Sequence, residues 1–231
     1  MNRLSILERR VCCLCGAPDD GRSGICPICT QEIRRTMKKG GTLCARCSQP
    51  LVTARPDLCP FCMSVQSVDR LISLSYFNST MKELLVLFKK GKHPGLRFFF
   101  AALLYDALKA EGLENSTIVP VPPRKGKLRR QGWDQVDLLC RTLSKHFGVH
   151  TARVLERRDR LQQKTLNHEE RLKHMKGTLR FKRNRQLPGG VESVVILDDI
   201  YTSGATIQGA AHILKQHYKG KLTALVLCSV V

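Results

Sequence analysis

Eight of the chain's cysteines fall into four Cys-x-x-Cys pairs: Cys12–Cys15, Cys26–Cys29, Cys44–Cys47 and Cys59–Cys62. No other feature limits the fold as much. Each pair can sit on a tight knuckle, and two pairs place four thiolates around one tetrahedral Zn²⁺. The spacing repeats: ten residues separate Cys15 from Cys26, eleven separate Cys47 from Cys59, and Cys26-Pro-Ile-Cys29 rhymes with Cys59-Pro-Phe-Cys62. Residues 12–29 and 44–62 therefore read as an internal duplication of two short units poor in apolar residues. Units of that size need a staple to fold, and a metal supplies one. Two structural zincs are expected, every ligand position being filled by protein. Sequential pairing of the knuckles is preferred, the spacing leaving an interleaved pairing open. Cys13 can stand in for Cys12, which has the better spacing. Disulfides and a redox Cys-x-x-Cys are the competing readings. Four repeated knuckles count against both, and a start, MNRLSILERRV, without the apolar stretch of a secretory signal counts against disulfides. A reducing, cytoplasmic setting is expected.

Charge narrows the partners. Lys and Arg number 39 against 19 Asp and Glu, a formal net charge of +20. Each Zn(Cys)₄ centre carries two negative charges, so two centres bring the balance to about +16. Such an excess favours nucleic acid or small anions such as pyrophosphate and argues against a cationic substrate. A hydrophobic content of 42% excludes wholesale disorder. No apolar run approaches the roughly 20 residues of a membrane span, so stable membrane insertion is not expected.

Beyond the cysteines the chain alternates strand and helix. Leu71–Tyr76 reads as a strand. Thr80 and Glu83 have capping-box spacing for a helix running to about Lys90 and stopped by Gly91. Leu96, Phe99, Phe100, Leu103, Leu104, Ala107 and Leu108 form one helical stripe ending at Gly112. Thr117–Val119 is a short strand ended by Pro120, and Val136 to Phe147 is a helix closed by Gly148. Val194–Leu197 is a continuous apolar strand, followed by helix periodicity from Ile207 to Leu214 and a last strand within Ala224–Val231. Cys140 and Cys228 fall on apolar positions as small core residues. This order implies an α/β fold with a mostly parallel sheet and helices on both faces. Ligands of such sheets bind at the carboxyl ends of strands.

There, Val194–Leu197 is followed by Asp198-Asp199-Ile200-Tyr201-Thr202-Ser203-Gly204-Ala205-Thr206. The strand delivers two carboxylates, and a loop of hydroxyls, Gly and Ala opens a helix. Amides at a helix start, with small hydroxyls, can cradle a phosphate. The loop has no Lys, against a Walker-type site. The acids suit hydrogen bonds from sugar hydroxyls, or water around a metal. The segment resembles the phosphoribosyl-pyrophosphate motif of type I phosphoribosyltransferases, with Tyr201 where that family carries an aliphatic residue. The resemblance implies that Asp198 and Asp199 contact the ribose hydroxyls, that Thr202, Ser203, Gly204, Ala205 and Thr206 wrap the 5′-phosphate, and that Mg²⁺ accompanies the ligand.

Two cysteine units ahead of this motif resemble the ComF family of competence-associated proteins. Further segments fit: Tyr76 and Phe88-Lys89-Lys90-Gly91 as lead-in, Val119-Pro120-Val121-Pro122 as first loop, and Arg129-Arg130-Gln131-Gly132-Trp133-Asp134-Gln135 for Arg-x-Arg-Gly-Phe-Asn-Gln. Arg158, Gln163, Leu166 and Arg171 fit an Arg…Gln…Leu…Arg pattern, and His174-Met175-Lys176-Gly177-Thr178-Leu179 stands for its last portion without the Asn. The resemblance implies a double zinc module over residues 1–68 and a phosphoribosyltransferase-like domain over 69–231. It also implies work beside other DNA-uptake proteins such as a helicase.

Three runs are basic. Residues Arg124–Arg130 carry five cations, Arg153–Arg160 four, and Arg171–Arg185 seven, with Trp133 and Phe181 beside or within them. Aromatic faces stack bases while cations track phosphates, which is how single strands are held. Arg124, Lys125, Lys127, Arg129, Arg130 and Trp133 are the expected contacts for single-stranded DNA or for pyrophosphate. The expected function is a DNA-uptake accessory that binds single-stranded DNA and phosphoribosyl pyrophosphate. The alternative is an active transferase passing the phosphoribosyl group to an acceptor. No general base is assignable from the sequence: His93, His150, His168 and His174 lie in polar stretches.

Overall fold

The computed structural model describes residues 11–19, 21–37, 42, 44–46, 51, 57–59, 62–63, 68–76, 78–91, 93–124, 126–157 and 178–230. Helix α1 spans Pro27–Thr36, β1 Arg70–Tyr76, α2 Ser79–Lys89, α3 Leu96–Ala110 and β2 Thr117–Pro120. They are followed by α4 (Lys127–Gln131), α5 (Gln135–Phe147), β3 (Leu155–Arg157), β4 (Leu179–Phe181), β5 (Ser193–Tyr201), α6 (Ala205–Lys215) and β6 (Lys221–Ser229). The expected parallel sheet is present, in the order β1-β6-β5-β2. Ile118 of β2 also bridges Thr151 in parallel. β3 and β4 form a separate antiparallel pair.

β5 and β6 are buried on both faces, which is why each reads as an unbroken apolar run. Their side chains alternate between two cores. Val195, Leu197, Leu225 and Leu227 join Leu84, Phe88, Phe100, Leu104, Leu139 and Leu143 of α2, α3 and α5 on one face. Val194, Ile196, Ala224 and Val226 meet Ile207, Ala210, Ala211 and Leu214 of α6 on the other, with Leu155 and Leu179 of the β3–β4 pair. Cys140 and Cys228 are wholly buried in the first core, where burial raises each thiol to about 12. They are packing residues, as their spacing implied.

The cysteine units attach to opposite cores. Cys12, Ile25, Cys26 and Ile33 belong to the first, while Cys44 and Cys62 join Val68 and Leu71 in the second. Gly95, opening α3, approaches the first unit so closely that a Cβ there would lie 2.8 Å from the Arg22 carbonyl oxygen. The second unit is tied to β1 by the Leu71 amide, which donates to Arg46 O at 2.8 Å.

The start of α2 differs from expectation. Asn78, not Thr80, is the N-cap, its Oδ1 accepting from the Met81 amide at 2.8 Å; Thr80 lies within the helix. Asn78→Ala should cost about 1 kcal/mol in denaturant unfolding. Thr80→Ala should leave the midpoint nearly unchanged, and the reverse order would restore the capping box.

Candidate functional site

β5 runs on through the two acids to Tyr201, so Asp198 and Asp199 sit on the last part of the strand rather than beyond it. Asp198 is still in ladder register with Val226 of β6. Backbone amides brace both carboxylates: Asp199 N–H donates to Asp198 Oδ1 at 2.9 Å and Ile200 N–H to Asp199 Oδ1 at 2.7 Å. Residues Thr202 to Gly204 then turn into α6. Gly204 has φ of 70°, the left-handed region that favours Gly, and α6 begins with no side-chain cap. Its first amides are thereby left for a ligand or water, a few residues from the acids. Ala205 is buried and Thr206 half-buried.

The two carboxylates sit in different electrostatic settings. Asp198 is raised to about 7, first by burial and then by the charge of Asp199; its own bond to the Asp199 amide, Arg157 and Lys89 pull the other way. Burial also works against ionisation of Asp199. There Lys89 overcomes it by charge and contact, helped by Gln135 and the Ile200 amide, and holds the acid below the usual carboxylate range. Lys89 Nζ lies 2.9 Å from Asp199 Oδ2, and Gln135 Nε2 donates to the same oxygen. Neighbouring acids pushed apart in this way are a recurring property of functional sites.

The basic segment after β2 is only partly open. Lys127 Nζ pairs with Asp134 Oδ2 at 2.6 Å and donates to Gln135 Oε1, so it braces the α4–α5 junction. Arg124, Arg129 and Arg130 are exposed, and Lys125 lies outside the described residues. Trp133 packs on Phe88 with ring centroids 5.6 Å apart. It also lies over Gly91, whose φ is +67° and whose Cβ, if present, would meet Trp133 Nε1 at 3.5 Å. Part of the indole expected to stack on bases is thus committed to the fold. The run from Arg153 divides similarly. Arg153 pairs with Asp137 at 2.5 Å. Arg157 turns inward, donating from Nε to Pro122 O at 2.9 Å, and burial lowers its pKa although Asp198 favours its charge. Arg158, Gln163, Leu166, Arg171, His168 and His174 lie outside the described residues.

The cysteines gather as their spacing implied. The sulfurs of Cys12, Cys15, Cys26 and Cys29 all lie within 4.8 Å of one another, as do those of Cys44, Cys59 and Cys62; Cys47 lies outside the described residues. The pairing is sequential, and Cys12 rather than Cys13 enters the cluster. Burial and the neighbouring Cys12 push the Cys13 thiol up to about 11. A zinc with Zn–S bonds of about 2.3 Å in tetrahedral array needs sulfurs about 3.8 Å apart; Cys15 and Cys26 are 3.7 Å apart. Amide donors already point at sulfurs, from Cys29 to Cys26 Sγ, Cys59 to Cys44 Sγ and Cys62 to Cys59 Sγ. The donor sets fit structural zinc.

Lys89, Gln135 and Arg157 fall within segments that the sequence singles out, but nothing in their spacing marks their approach to the acid pair. The available signal is topological: the Lys89 end of α2 and the Gln135 start of α5 both face the carboxyl edge of the sheet.

No family model matches the chain. Several relatives align over most of it, among them the following three. A protein of Salmonella typhimurium called DNA utilization protein YhgH is 28% identical, covering 94% of this chain and 95% of its own. Competence protein ComFC of Bacillus subtilis is 24% identical, with 87% and 92% covered. Competence protein F of Haemophilus influenzae is 24% identical, with 84% and 86% covered. Among the described residues no helix is long and apolar enough to cross a membrane.

Proposed function

We propose that the chain is a member of the ComF family, as the names of its relatives support, and that it serves DNA uptake or utilization by binding single-stranded DNA and phosphoribosyl pyrophosphate. One observation carries the ligand: two unequal carboxylates at the carboxyl end of β5 stand directly before an uncapped helix start. Asp198 and Asp199 would accept from the ribose hydroxyls, and residues Thr202 to Thr206 would hold the 5′-phosphate with the α6 amides. Mg²⁺ would travel with the pyrophosphate and offset its charge. Arg124, Arg129 and Arg130, all exposed, would meet that pyrophosphate or a nucleic-acid backbone. Names of the relatives support a competence role. The division into residues 1–68 and 69–231 belongs to the same proposal.

A second reading, transfer of the phosphoribosyl group to an acceptor with release of pyrophosphate, is favoured by Asp198. A carboxyl raised to about 7 can exchange a proton near neutral pH. Incubating the zinc-loaded chain with labelled phosphoribosyl pyrophosphate and candidate acceptors, with and without single-stranded DNA, separates the readings. Retention of both ligands without turnover supports the binding role, and acceptor-dependent pyrophosphate release supports the transferase. Retention of neither ligand would contradict the proposal.

The acid pair also fixes a pH dependence. A folded-state pKa of about 7 against the ordinary 3.8 means that the native chain keeps a proton on Asp198 which the unfolded chain has lost. Stability from this group is present below that range and falls as pH rises through about 7. Sugar hydroxyls bond more strongly to the ionised acceptor, so affinity should move the other way, rising by up to about tenfold between one unit below and one above the transition. Calorimetry from pH 6 to 8 measures it. Asp198→Asn should flatten the profile, and an unflattened profile would assign the titration elsewhere.

A further inference from the structure

A cavity of about 860 Å³ lies between the β4–β5 connection and the C-terminal end of α6. It is formed near Ser193, where β5 begins, whereas the acid pair lies towards the other end of that strand. Arg180, Lys182, Arg183 and Arg185 supply cations, and none of its described lining residues is acidic. Arg180 is engaged by Glu156, while Arg183 and Arg185 are exposed. Phe181 stacks on His217 with centroids 4.0 Å apart and planes 29° from parallel. Phe181 is half-buried and His217 exposed, so the stack is anchored at one ring and open at the other.

The scaffold is fixed. Lys182 N–H donates to Val154 O at 2.7 Å and Arg185 N–H to Lys182 O at 3.2 Å, which shapes the turn that presents the cations. Tyr218 donates to Glu192 O at 2.7 Å, tying the end of α6 to the entry of β5. Gly220 makes room for that ring: a Cβ there would collide with the Tyr218 hydroxyl.

We propose that this cleft, rather than the segment Arg124–Trp133, is the principal seat for single-stranded nucleic acid, with an unpaired base on the Phe181–His217 stack and backbone phosphates on Lys182, Arg183 and Arg185. The volume falls within the roughly 300–1,000 Å³ typical of ligand clefts and suits nucleotides rather than a duplex. An aromatic platform beside cations holds any base, because every base has a π-face. Duplex DNA offers phosphates but no free base, so it lacks the stacking contribution.

This inference rests on the single-strand half of the proposed function. The test measures binding of the zinc-loaded full chain to fluorescent oligo(dT) and to a duplex of equal length at several salt concentrations. His217→Ala, at an exposed position, should weaken single-strand binding about five- to a hundredfold with little change in salt slope. Arg183→Glu with Arg185→Glu should flatten the log–log slope by about 0.7 for each phosphate no longer neutralised. Crosslinking with iododeoxyuridine strands should label peptides within residues 180–191 or 213–218. If those variants bind like the unaltered chain while Arg129→Glu with Arg130→Glu abolishes binding, the cleft is overturned and the single-strand reading stands. If the unaltered chain binds no single strand, both are overturned.

Discussion

Cys26→Ser is expected to release one zinc and unfold the segment around Cys12–Met37, not merely loosen it. Cys26 is 4% exposed, caps α1, and accepts the Cys29 amide on its sulfur. With its metal lost, the unit's described contacts outside the cysteines are Ile25 and Ile33 in the first core, Leu14 and Met37 packed against it, the backbone approach of Gly95, and an Arg34–Asp106 ion pair at 2.8 Å whose partners are about half exposed. An exposed pair of that kind contributes at most ~1 kcal/mol. Structural zinc in small units contributes an apparent ~10–16 kcal/mol at neutral pH, against a whole-domain stability of ~5–15 kcal/mol. Elemental analysis of chelator-washed protein should fall from two zincs per chain to one, with proteolysis beginning near this unit. Cys59→Ser should act likewise on the second unit, at the opposite core. Cys13→Ser should retain both metals, since Cys13 lies outside the cluster. Full zinc content in Cys26→Ser, with unchanged protease resistance, would refute the assignment.

What can be read from the sequence is what is set locally or by periodicity. Metal-ligand spacing is local, so the first four sulfurs meet as their numbers imply. β5 and β6 announce themselves because strands covered on both faces are apolar throughout. Helix α1 escapes a reading of the segment as a zinc knuckle, although Pro27 at its first turn follows a capping residue. β3 and β4 are three residues each and their partners are far apart in sequence, so no local pattern marks them. In the site, the acids and loop are legible as a motif. The Lys89–Asp199 pair is not, because it joins residues 110 apart through the packing of α2 against the sheet. Lys127 and Trp133 show the same limit in reverse: composition marks them as open contacts, whereas the fold uses much of each internally.

Asp199→Asn should weaken phosphoribosyl pyrophosphate binding about ten- to a hundredfold, because a hydrogen bond to a charged acceptor contributes about 1.5–3 kcal/mol. The loss comes from the acceptor: a carboxylate that would accept from a ribose hydroxyl becomes a neutral amide, and the attraction of the freed Lys89 cation for the anionic ligand offsets only part of it. Lys89→Met should weaken binding by a smaller factor and raise the pH at which binding is gained, since the Lys89 charge favours ionisation of Asp198 as well as of Asp199. That pH shift separates a positioning role from a loss of general attraction for the anion, which would lower affinity equally at every pH. Thr206→Ala should also weaken binding.

Isothermal titration of phosphoribosyl pyrophosphate with Mg²⁺ into the zinc-loaded chain, beside the Asp198→Asn/Asp199→Asn double variant, tests the acid-loop site most directly. Saturable binding to the unaltered chain is expected, tighter at pH 8 than at pH 6, with none detectable in a double variant that still holds both zincs and unfolds cooperatively. Equal binding by the two proteins, or no binding by the unaltered chain at either pH, would contradict the acid-loop site.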